Sequence, residues 1–246
     1  MRTKPPSGEP VVPRHGLARV ISKLGVASRT QAASWVRDGR VHVNGRLVRD
    51  AEFPVRRGLD RIDIDGRPSA ALQRVVLMLN KPSGLITTTR DEQGRDTVYS
   101  CFAGTALPWL APVGRLDKAS EGLLLFSNDP VWAARVTDPD SGPPKTYHVQ
   151  IRHAASDSLL EALVRGVRAD GERLAARSAQ CLRAGEKNTW LRIVLEEGRN
   201  RQIRRMLAAF EVSVLRLVRV AIGSLALGEL PKGQWRILSE QEVSGI

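Results

Sequence analysis

The segment Gly114-Arg115-Leu116-Asp117-Lys118-Ala119-Ser120-Glu121-Gly122 lies between two apolar stretches, 111–113 and 123–126. The glycines at its two ends predict a loop that is held tightly between two strands. An aspartate in such a loop is more often a turn or capping residue than a catalytic group. Taken alone, Asp117 is therefore only a candidate catalytic residue, and the rest of the sequence must show whether it has that role.

The residues on both sides of this loop alternate strand-like with helix-like segments, which indicates an α+β domain. Apolar or alternating runs predict strands at 75–79, 123–127, 145–151 and 212–221. In the third run, Tyr147, Val149 and Ile151 share one face. After Gly198, apolar residues at helical spacing predict a helix whose buried face comprises Ile203, Met206, Leu207 and Phe210.

The first third of the chain has the pattern of a small helical and β module. Helical spacing of apolar residues from Leu17 to Leu24 predicts a helix that ends at Gly25. Ser28 stands at the N-cap position of a second predicted helix, 30–36, which Gly39 closes. The stretch 40–48 alternates around Asn44-Gly45, the pattern of a β-hairpin.

The charge of the chain is strongly positive and unevenly distributed. It holds 38 Lys and Arg against 26 Asp and Glu, a net charge of +12. Residues 1–72 hold 14 basic and 7 acidic residues, whereas residues 73–246 hold 24 and 19. This pattern favours a polyanionic partner, and the phosphate backbone of a nucleic acid is the commonest. In the small module we expect phosphate contacts from Lys23, Arg29, Arg37 and Arg40.

Other features bear on compartment and cofactors. The two cysteines, Cys101 and Cys181, are too few for a disulfide framework, so we expect a cytoplasmic protein. No apolar run is long enough to span a membrane, so we expect no membrane association. The proline-rich residues 1–13 predict a disordered leader. The four histidines lack ligand-like spacing, and no nucleotide-binding loop follows a strand, so neither a metal nor a cofactor is expected. A monomer is the default expectation.

Two strings in the first third resemble the S4-type RNA-binding module. They are Gly25-Val26-Ala27-Ser28-Arg29 and Asp38-Gly39-Arg40-Val41-His42-Val43-Asn44-Gly45. The resemblance covers roughly residues 14–66 and implies a domain that binds structured RNA. With a polar link near residue 71, it divides the chain into a leader (1–13), an S4-like RNA-binding domain (14–72) and a larger domain (73–246).

The larger domain resembles the pseudouridine synthases that modify single sites in ribosomal RNA. The resemblance begins with Gly114-Arg115-Leu116-Asp117, continues through Ser120-Glu121-Gly122-Leu123-Leu124-Leu125 and extends to Asn128-Asp129. Further strings follow the family order: Asn80-Lys81-Pro82, Lys145-Thr146-Tyr147, Glu197 to Met206, and Leu217-x-Arg219-x-x-Ile222-Gly223. This family likeness implies a catalytic domain with a mixed, mainly antiparallel sheet. It also implies isomerisation of a uridine in ribosomal RNA, with the large subunit slightly favoured over the small.

The resemblance also implies roles for individual residues. Asp117 is expected to be the catalytic carboxylate, buried and held charged by an ion pair with Arg204, and Tyr147 is expected to stack on the flipped uracil. We expect Leu217, Arg115 and Lys81 to contact the substrate. Arg201 and Arg205 are expected to face RNA phosphates. Whether Asp117 attacks C1′ or removes the 2′ proton stays open, as does the identity of the target uridine.

Two other classes of protein remain as alternatives. A non-catalytic factor that only grips ribosomal RNA during assembly would explain the basic module equally well. It would have no need of a buried carboxylate facing a polyanion, so Asp117, Tyr147 and Arg204 together favour the enzyme. A base-modifying methyltransferase is disfavoured because no glycine-rich cofactor loop follows a strand.

Overall fold

The computed structural model describes residues 12–69, 73–89 and 91–246. The chain divides into two compact units. The smaller unit runs up to Arg74 and includes Pro108–Leu110, and the larger unit comprises 75–107 and 111–246. The leader expected at 1–13 lies outside the described residues except for its last two, and most of the expected polar link also lies outside them. No helix in the described part of the chain is long and apolar enough to cross a membrane.

The smaller unit pairs two short helices with short antiparallel strands. Its elements are β1 (Arg14–Gly16), α1 (Leu17–Lys23), α2 (Arg29–Arg37), β2 (Val41–Val43), β3 (Arg46–Leu47), β4 (Pro54–Arg56), β5 (Ile62–Ile64) and β6 (Arg67–Pro68). Strand β1 pairs with β4, and the other four strands form a sheet in the order β3-β2-β5-β6. Leu17, Ile21 and Val36 pack into its apolar core together with Val41 and Val55.

Local sequence signals in the smaller unit are confirmed. The Ser28 hydroxyl accepts a hydrogen bond of 3.0 Å from the Gln31 amide, so Ser28 is the N-cap of α2. Helix α2 extends one residue beyond the predicted 30–36 at each end. Asn44 and Gly45 both have positive φ, 50° and 81°, as the two-residue turn of the β2–β3 hairpin requires.

The larger unit is built on one nine-stranded sheet. Its strands are β7 (Val76–Lys81), β8 (Ala111–Val113), β9 (Glu121–Ser127), β10 (Lys145–Arg152), β13 (Ser178–Ala184), β14 (Asn188–Leu195), β15 (Val214–Ile222), β16 (Leu225–Ala226) and β17 (Trp235–Ile237). A separate hairpin joins β11 (Val167–Ala169) to β12 (Glu172–Leu174). The helices are a 3-10 turn (Val98–Phe102), α3 (Pro130–Thr137), α4 (Asp157–Arg165), α5 (Gln202–Ala208) and α6 (Glu240–Ser244).

The order of strands in the sheet brings distant motifs together. The path is β13-β14-β10-β15-β9-β7-β17, with β16 beside β15 and β8 beside β9. Every pair is antiparallel except β15–β9, so the predicted α+β fold with a mainly antiparallel sheet is confirmed. Strands β10, β15 and β9 are neighbours, which places the Lys145-Thr146-Tyr147 string, the strand with Leu217 and the loop with Asp117 in one region.

The predicted strands of the larger unit are confirmed with shifted ends, and one predicted core residue is wrong. Along β10, Lys145, Tyr147, Val149 and Ile151 are all buried, as the alternation predicted. Phe210 lies beyond the end of α5 and is 40% exposed. Since α5 ends at Ala208, the helical period no longer places Phe210 on the buried face.

Candidate active site

A cavity of about 770 Å³ opens in the larger unit where several segments of the chain meet. Its walls come mainly from the loop before β9, from β10, from β15 and from the segment that leads into α5, with further lining residues from 86–87 and 136–140. Residues lining it include Arg115, Asp117, Tyr147, Arg201 and Leu217. A volume of this size lies within the range of small-molecule and cofactor sites, and it is large enough for one nucleotide.

The loop that carries Asp117 joins β8 to β9, as the glycines at its ends predicted. The Thr87 hydroxyl donates to the Leu116 carbonyl oxygen at 2.8 Å, and the Gly84 amide donates to that of Lys118 at 2.7 Å. Within the loop, the Ser120 amide donates to the Asp117 carbonyl oxygen at 2.9 Å. The hydrogen bonds of Thr87 and Gly84 hold the main chain on both sides of Asp117 to the segment that follows β7.

Glycine at position 122 is required by the approach of two parallel strands. Gly122 has φ of +101°, and a Cβ atom there would lie 2.2 Å from the carbonyl oxygen of Arg219. Any side chain would therefore separate β9 from β15, the strand that carries Leu217. The glycine of the Ser120-Glu121-Gly122 string thus keeps the Asp117 loop against its neighbouring strand.

Lys81, which was predicted to contact the substrate, is fully buried behind the loop. Its side chain has no exposed area and does not line the cavity. The Nζ atom donates to the carbonyl oxygens of Pro82 and Ser120 at 2.9 Å, and lies 3.5 Å from that of Lys118. Burial lowers the pKa of Lys81 to about 8, although Glu121 and Asp117 oppose that shift. Lys81 is therefore bonded to the main chain of the loop and does not line the cavity.

Asp117 itself is less buried than predicted, and its nearest cation is a different arginine. Its side chain is 33% exposed on the cavity wall. The Nη1 atom of Arg201 lies 3.8 Å from its Oδ2 atom. Arg201 is the N-cap of α5 and has a left-handed φ of 48°, which residues other than glycine seldom adopt.

Arg204, the predicted partner of Asp117, is bonded instead to the main chain. Its Nη2 donates to the carbonyl oxygen of Ala119 at 3.3 Å, and its Nη1 lies 3.5 Å from that of Val214. Its Nε is buried without a hydrogen-bond partner among the described residues. Burial and the nearby Arg201 lower the pKa of Arg204, while the charge of Asp117 raises it. Arg204 is thus close enough to interact with Asp117 electrostatically, but the ion-pair geometry belongs to Arg201.

Arg205 is also placed differently from the prediction. It bonds to the β11–β12 hairpin, with Nε 2.7 Å from Asp170, Nη1 2.8 Å from Glu172 and Nη2 2.9 Å from the carbonyl oxygen of Ala169. Hydrogen bonds from both carboxylates raise its pKa. With only 16% of its side chain exposed, Arg205 ties α5 to the hairpin and is not free to face RNA phosphates.

Tyr147 and Leu217 lie on neighbouring strands, and both line the cavity. In the β10–β15 register Tyr147 pairs with Arg219, and Val149 pairs with Leu217. Tyr147 is 9% exposed and Leu217 is 6% exposed. Arg115 is exposed and lines the cavity two residues before Asp117. The structure therefore brings Asp117, Tyr147, Leu217 and Arg115 together in one site.

Two basic residues of the cavity were missed in the sequence analysis. Lys145 and Arg219 line the cavity and are almost fully buried. The Nζ of Lys145 donates to the Glu196 carbonyl oxygen at 3.3 Å, and burial and Arg219 lower the pKa of Lys145. Each stands two residues from a predicted site residue on the same strand. The period of two would have placed both on the cavity side.

The four basic residues predicted for the S4-like region lie in the smaller unit, and two of them already have acidic partners. Arg29 is 3.1 Å from Glu52. Arg40 makes two hydrogen bonds to Asp65 and lies over the ring of Trp35. Arg29 and Arg40 are therefore not free of acidic partners, although both side chains stay exposed, at 60% and 42%, and the phosphate contacts of all four residues stay a prediction. Among the described residues, no group of three or more His, Cys, Asp and Glu is placed to hold a metal ion.

Comparison with known families and structures gives matches across nearly the whole chain. The RNA pseudouridylate synthase family model matches residues 75–209, and the S4 domain model matches residues 16–60. A solved structure described as a pseudouridylate synthase aligns with a TM-score of 0.66 and 28% identity. That alignment covers 94% of this chain and 99% of the solved one.

Relatives of similar length share about a third of their residues with this chain. One is ribosomal large subunit pseudouridine synthase B of Bacillus subtilis, 34% identical over 232 residues, which are 94% of each chain. Another is an uncharacterized RNA pseudouridine synthase of Aquifex aeolicus. It is 34% identical over 229 residues, covering 93% of this chain and 92% of the relative.

Proposed function

The chain belongs to the RNA pseudouridylate synthase family, and we propose that it isomerises one specific uridine of large-subunit ribosomal RNA to pseudouridine. Family membership makes it an isomerase that acts on RNA, and the non-catalytic alternative is not favoured. The proposed choice of ribosomal RNA rests on the likeness to the Bacillus subtilis enzyme over 94% of both chains. The observation that carries the catalytic proposal is that Asp117 and Tyr147 line one cavity within the region that the family model matches.

The chemistry requires a carboxylate but no net oxidation. The N1–C1′ bond of the uridine breaks, the base turns, and a C5–C1′ bond forms. The proton on C5 is then lost, and N1 ends with a proton. Asp117 would serve in either of two ways, by attacking C1′ or by removing the 2′ hydrogen so that a glycal forms. In both, the carboxylate must be ionised and held beside the sugar.

The proposed roles of the other residues follow from their positions. Tyr147 offers an aromatic ring at the cavity wall on which a flipped uracil can stack, and Leu217 offers an apolar contact on the neighbouring strand. Arg115 and Arg201 offer exposed cations to the phosphates beside the flipped nucleotide. Arg204 and Lys81 would hold the loop carbonyl groups close to Asp117, so that the carboxylate keeps its position.

The test is product formation on defined RNA. Purified protein is incubated with large-subunit and with small-subunit ribosomal RNA, and pseudouridines are located by chemical mapping. We expect one new pseudouridine in large-subunit RNA without any additive. RNA binding with no product would favour the assembly factor, and a product that depends on a methyl donor would favour the methyltransferase. Mapping total ribosomal RNA from cells with and without the gene then identifies the uridine.

We further propose a cytoplasmic monomer that requires neither metal nor cofactor. The net charge of +12 disfavours self-association and fits a ribosomal RNA partner. Light scattering of the purified protein tests the monomer, and activity in a chelator after extensive dialysis tests the lack of a cofactor. Fractionation of cells tests the compartment.

A further inference from the structure

The smaller unit contains a second cavity, of about 520 Å³, that the sequence analysis did not identify. It lies between the β1–β4 pair and the β2–β3 hairpin. We call it the arginine groove, since three of its lining residues are Arg14, Arg46 and Arg56. It shares no residue with Lys23, Arg29, Arg37 and Arg40, the set selected from sequence.

The three arginines concentrate positive charge in one groove. Arg14 and Arg56 occupy directly opposite positions in the antiparallel β1–β4 pair. Like charges in such a pair destabilise a sheet. Arg46 adds a third cation to the same groove, and all three side chains belong to exposed residues. Neither Arg14 nor Arg46 forms an ion pair with a described residue, which leaves both guanidinium groups available to a ligand.

One carboxylate, that of Asp60, also lines the groove, but it already accepts hydrogen bonds from neighbouring residues. Asp60 accepts hydrogen bonds from the main-chain amide of Arg56 at 2.6 Å and from the Asn44 side chain at 3.0 Å. Its contact with the Arg56 guanidinium is longer, 3.6 Å. The hydrogen bonds lower the pKa of Asp60, so it stays ionised and neutralises at most one arginine. The groove therefore keeps a net positive charge.

The groove also contains an aromatic side chain. Phe53, which is half-buried, lines it beside Pro54. Phe53 also packs against the core of the unit, so only part of it is exposed. Arginines beside a partly exposed aromatic residue suit a phosphodiester chain whose base contacts that residue. A protein partner would need acidic side chains to match, whereas the substrate of this enzyme supplies phosphates already.

We propose that the arginine groove binds the phosphodiester backbone of the RNA substrate, through Arg14, Arg46 and Arg56. The inference rests on the proposed function only in taking RNA as the partner. It differs from the expectation drawn from sequence, in which the contacts come from the ends of the two helices. Two of those four residues are bonded to carboxylates, and the groove residues are instead brought together by strand pairing.

The experiment compares two full-length variants that lose the same charge. The groove variant carries Arg14→Gln, Arg46→Gln and Arg56→Gln. The control carries Arg19→Gln, Arg57→Gln and Arg67→Gln, three exposed arginines of the same unit that do not line the groove. The probe is a labelled 20-nucleotide single-stranded RNA without uridine, so that the catalytic pocket is not engaged. Affinity is measured by fluorescence anisotropy over a series of salt concentrations.

Three phosphate contacts to a single strand contribute about 2 to the slope of log K against log salt. We expect the groove variant to lose about 2 from that slope, and the control variant less than half as much. Equal losses in the two variants, or an unchanged slope in the groove variant, would overturn the proposal. Because this readout needs no product, it stays informative if the parent proves inactive on ribosomal RNA.

Melting temperature without RNA provides a second check against misfolding. Removal of the opposed charges in Arg14→Gln should leave the melting temperature unchanged or raise it slightly. A groove variant that binds poorly but melts like the parent supports a direct RNA contact. If the groove variant melts much lower, the single variants Arg14→Gln and Arg46→Gln repeat the binding measurement. Unchanged salt slopes in both single variants would then overturn the proposal.

Discussion

Arg201 places its Nη1 atom 3.8 Å from Oδ2 of Asp117, while Arg204 donates to the carbonyl oxygen of Ala119, two residues along the same loop. The two arginines thus act on one loop in different ways. Arg201 meets the carboxylate at the cavity wall, where both side chains are partly exposed. Arg204 is more deeply buried than Arg201 and is hydrogen-bonded to the main chain of the loop.

This difference predicts distinct effects for two matched variants. Arg201→Gln should lower the single-turnover rate without changing the melting temperature, because exposed ion pairs add at most about 1 kcal/mol to stability. Arg204→Gln should lower both, because it removes a half-buried side chain together with its hydrogen bonds to the carbonyl oxygens of Ala119 and Val214. If Arg201→Gln is fully active, and Arg204→Gln loses activity with no loss of stability, Arg204 is the partner of Asp117 in the RNA complex. The prediction from sequence would then hold for the bound enzyme.

The lowered pKa of Lys81 should make the free energy of unfolding depend on pH. Burial lowers its pKa from 10.5 to about 8, so the unfolded chain binds a proton that the folded chain has released between these values. The free energy of unfolding should therefore rise with pH across about 8 to 10.5, relative to a variant without the group. Lys81→Met should lack this rise. Urea unfolding of both proteins at several pH values measures the difference, and a constant difference would contradict the account.

The same variant should also impair turnover. Lys81→Met leaves the carbonyl groups of Pro82 and Ser120 without their donor, so the loop before β9 loses a support. We expect a lower single-turnover rate with nearly unchanged RNA affinity, since Lys81 has no exposed area. A variant that loses RNA affinity and keeps its rate would show that Lys81 reaches the substrate after all.

Variants of Tyr147 distinguish stacking of its ring on the base from packing of its ring in the protein core. If its ring only stacks on the base, Tyr147→Phe should retain substantial turnover, and Tyr147→Ala should lose about 1–3 kcal/mol of RNA binding. If the hydroxyl also helps to remove the C5 proton, Tyr147→Phe should bind RNA normally yet form little product. We expect the second result, because the hydroxyl belongs to a residue that lines the cavity.

Tyr99→Phe is the matched control, since it makes the same change at the only other tyrosine and does not line the cavity. It should turn over at the parent rate. Melting temperatures complete the comparison: if Tyr147 were plain core, Tyr147→Ala would lower the melting temperature markedly and Tyr147→Phe would change nothing. A fully active Tyr147→Ala variant would contradict any role for the ring.

Local patterns made much of the fold predictable. The alternation in β10, the Asn44-Gly45 turn and the Ser28 cap each depend on a few neighbouring residues, and all three are confirmed. Phe210 was wrong because a period identifies a face but does not show where the helix stops. The end of α5 depends on the following turn, which brings the chain back into β15.

The site was less predictable than the fold, because it depends on contacts between distant segments. The motif placed Asp117, Tyr147 and Leu217 in a site, and they do line one cavity. It could not show that Lys81 is buried and does not line that cavity, or that Arg201 contacts the carboxylate while Arg204 contacts the main chain. The charge pattern likewise could not reveal the arginine groove, since Arg14 and Arg56 become neighbours only when β1 pairs with β4.

We propose that the negative charge of Asp117 performs the chemistry. Asp117→Asn keeps the size and polarity of a side chain that is 33% exposed, so folding and RNA affinity should be retained. The matched control is Asp157→Asn, the same change at an exposed position outside the cavity. The decisive measurement is single-turnover formation of pseudouridine in large-subunit ribosomal RNA by the parent and both variants. We expect product from the parent and from Asp157→Asn, and none from Asp117→Asn. An Asp117→Asn variant that forms pseudouridine near the parent rate would contradict this proposal.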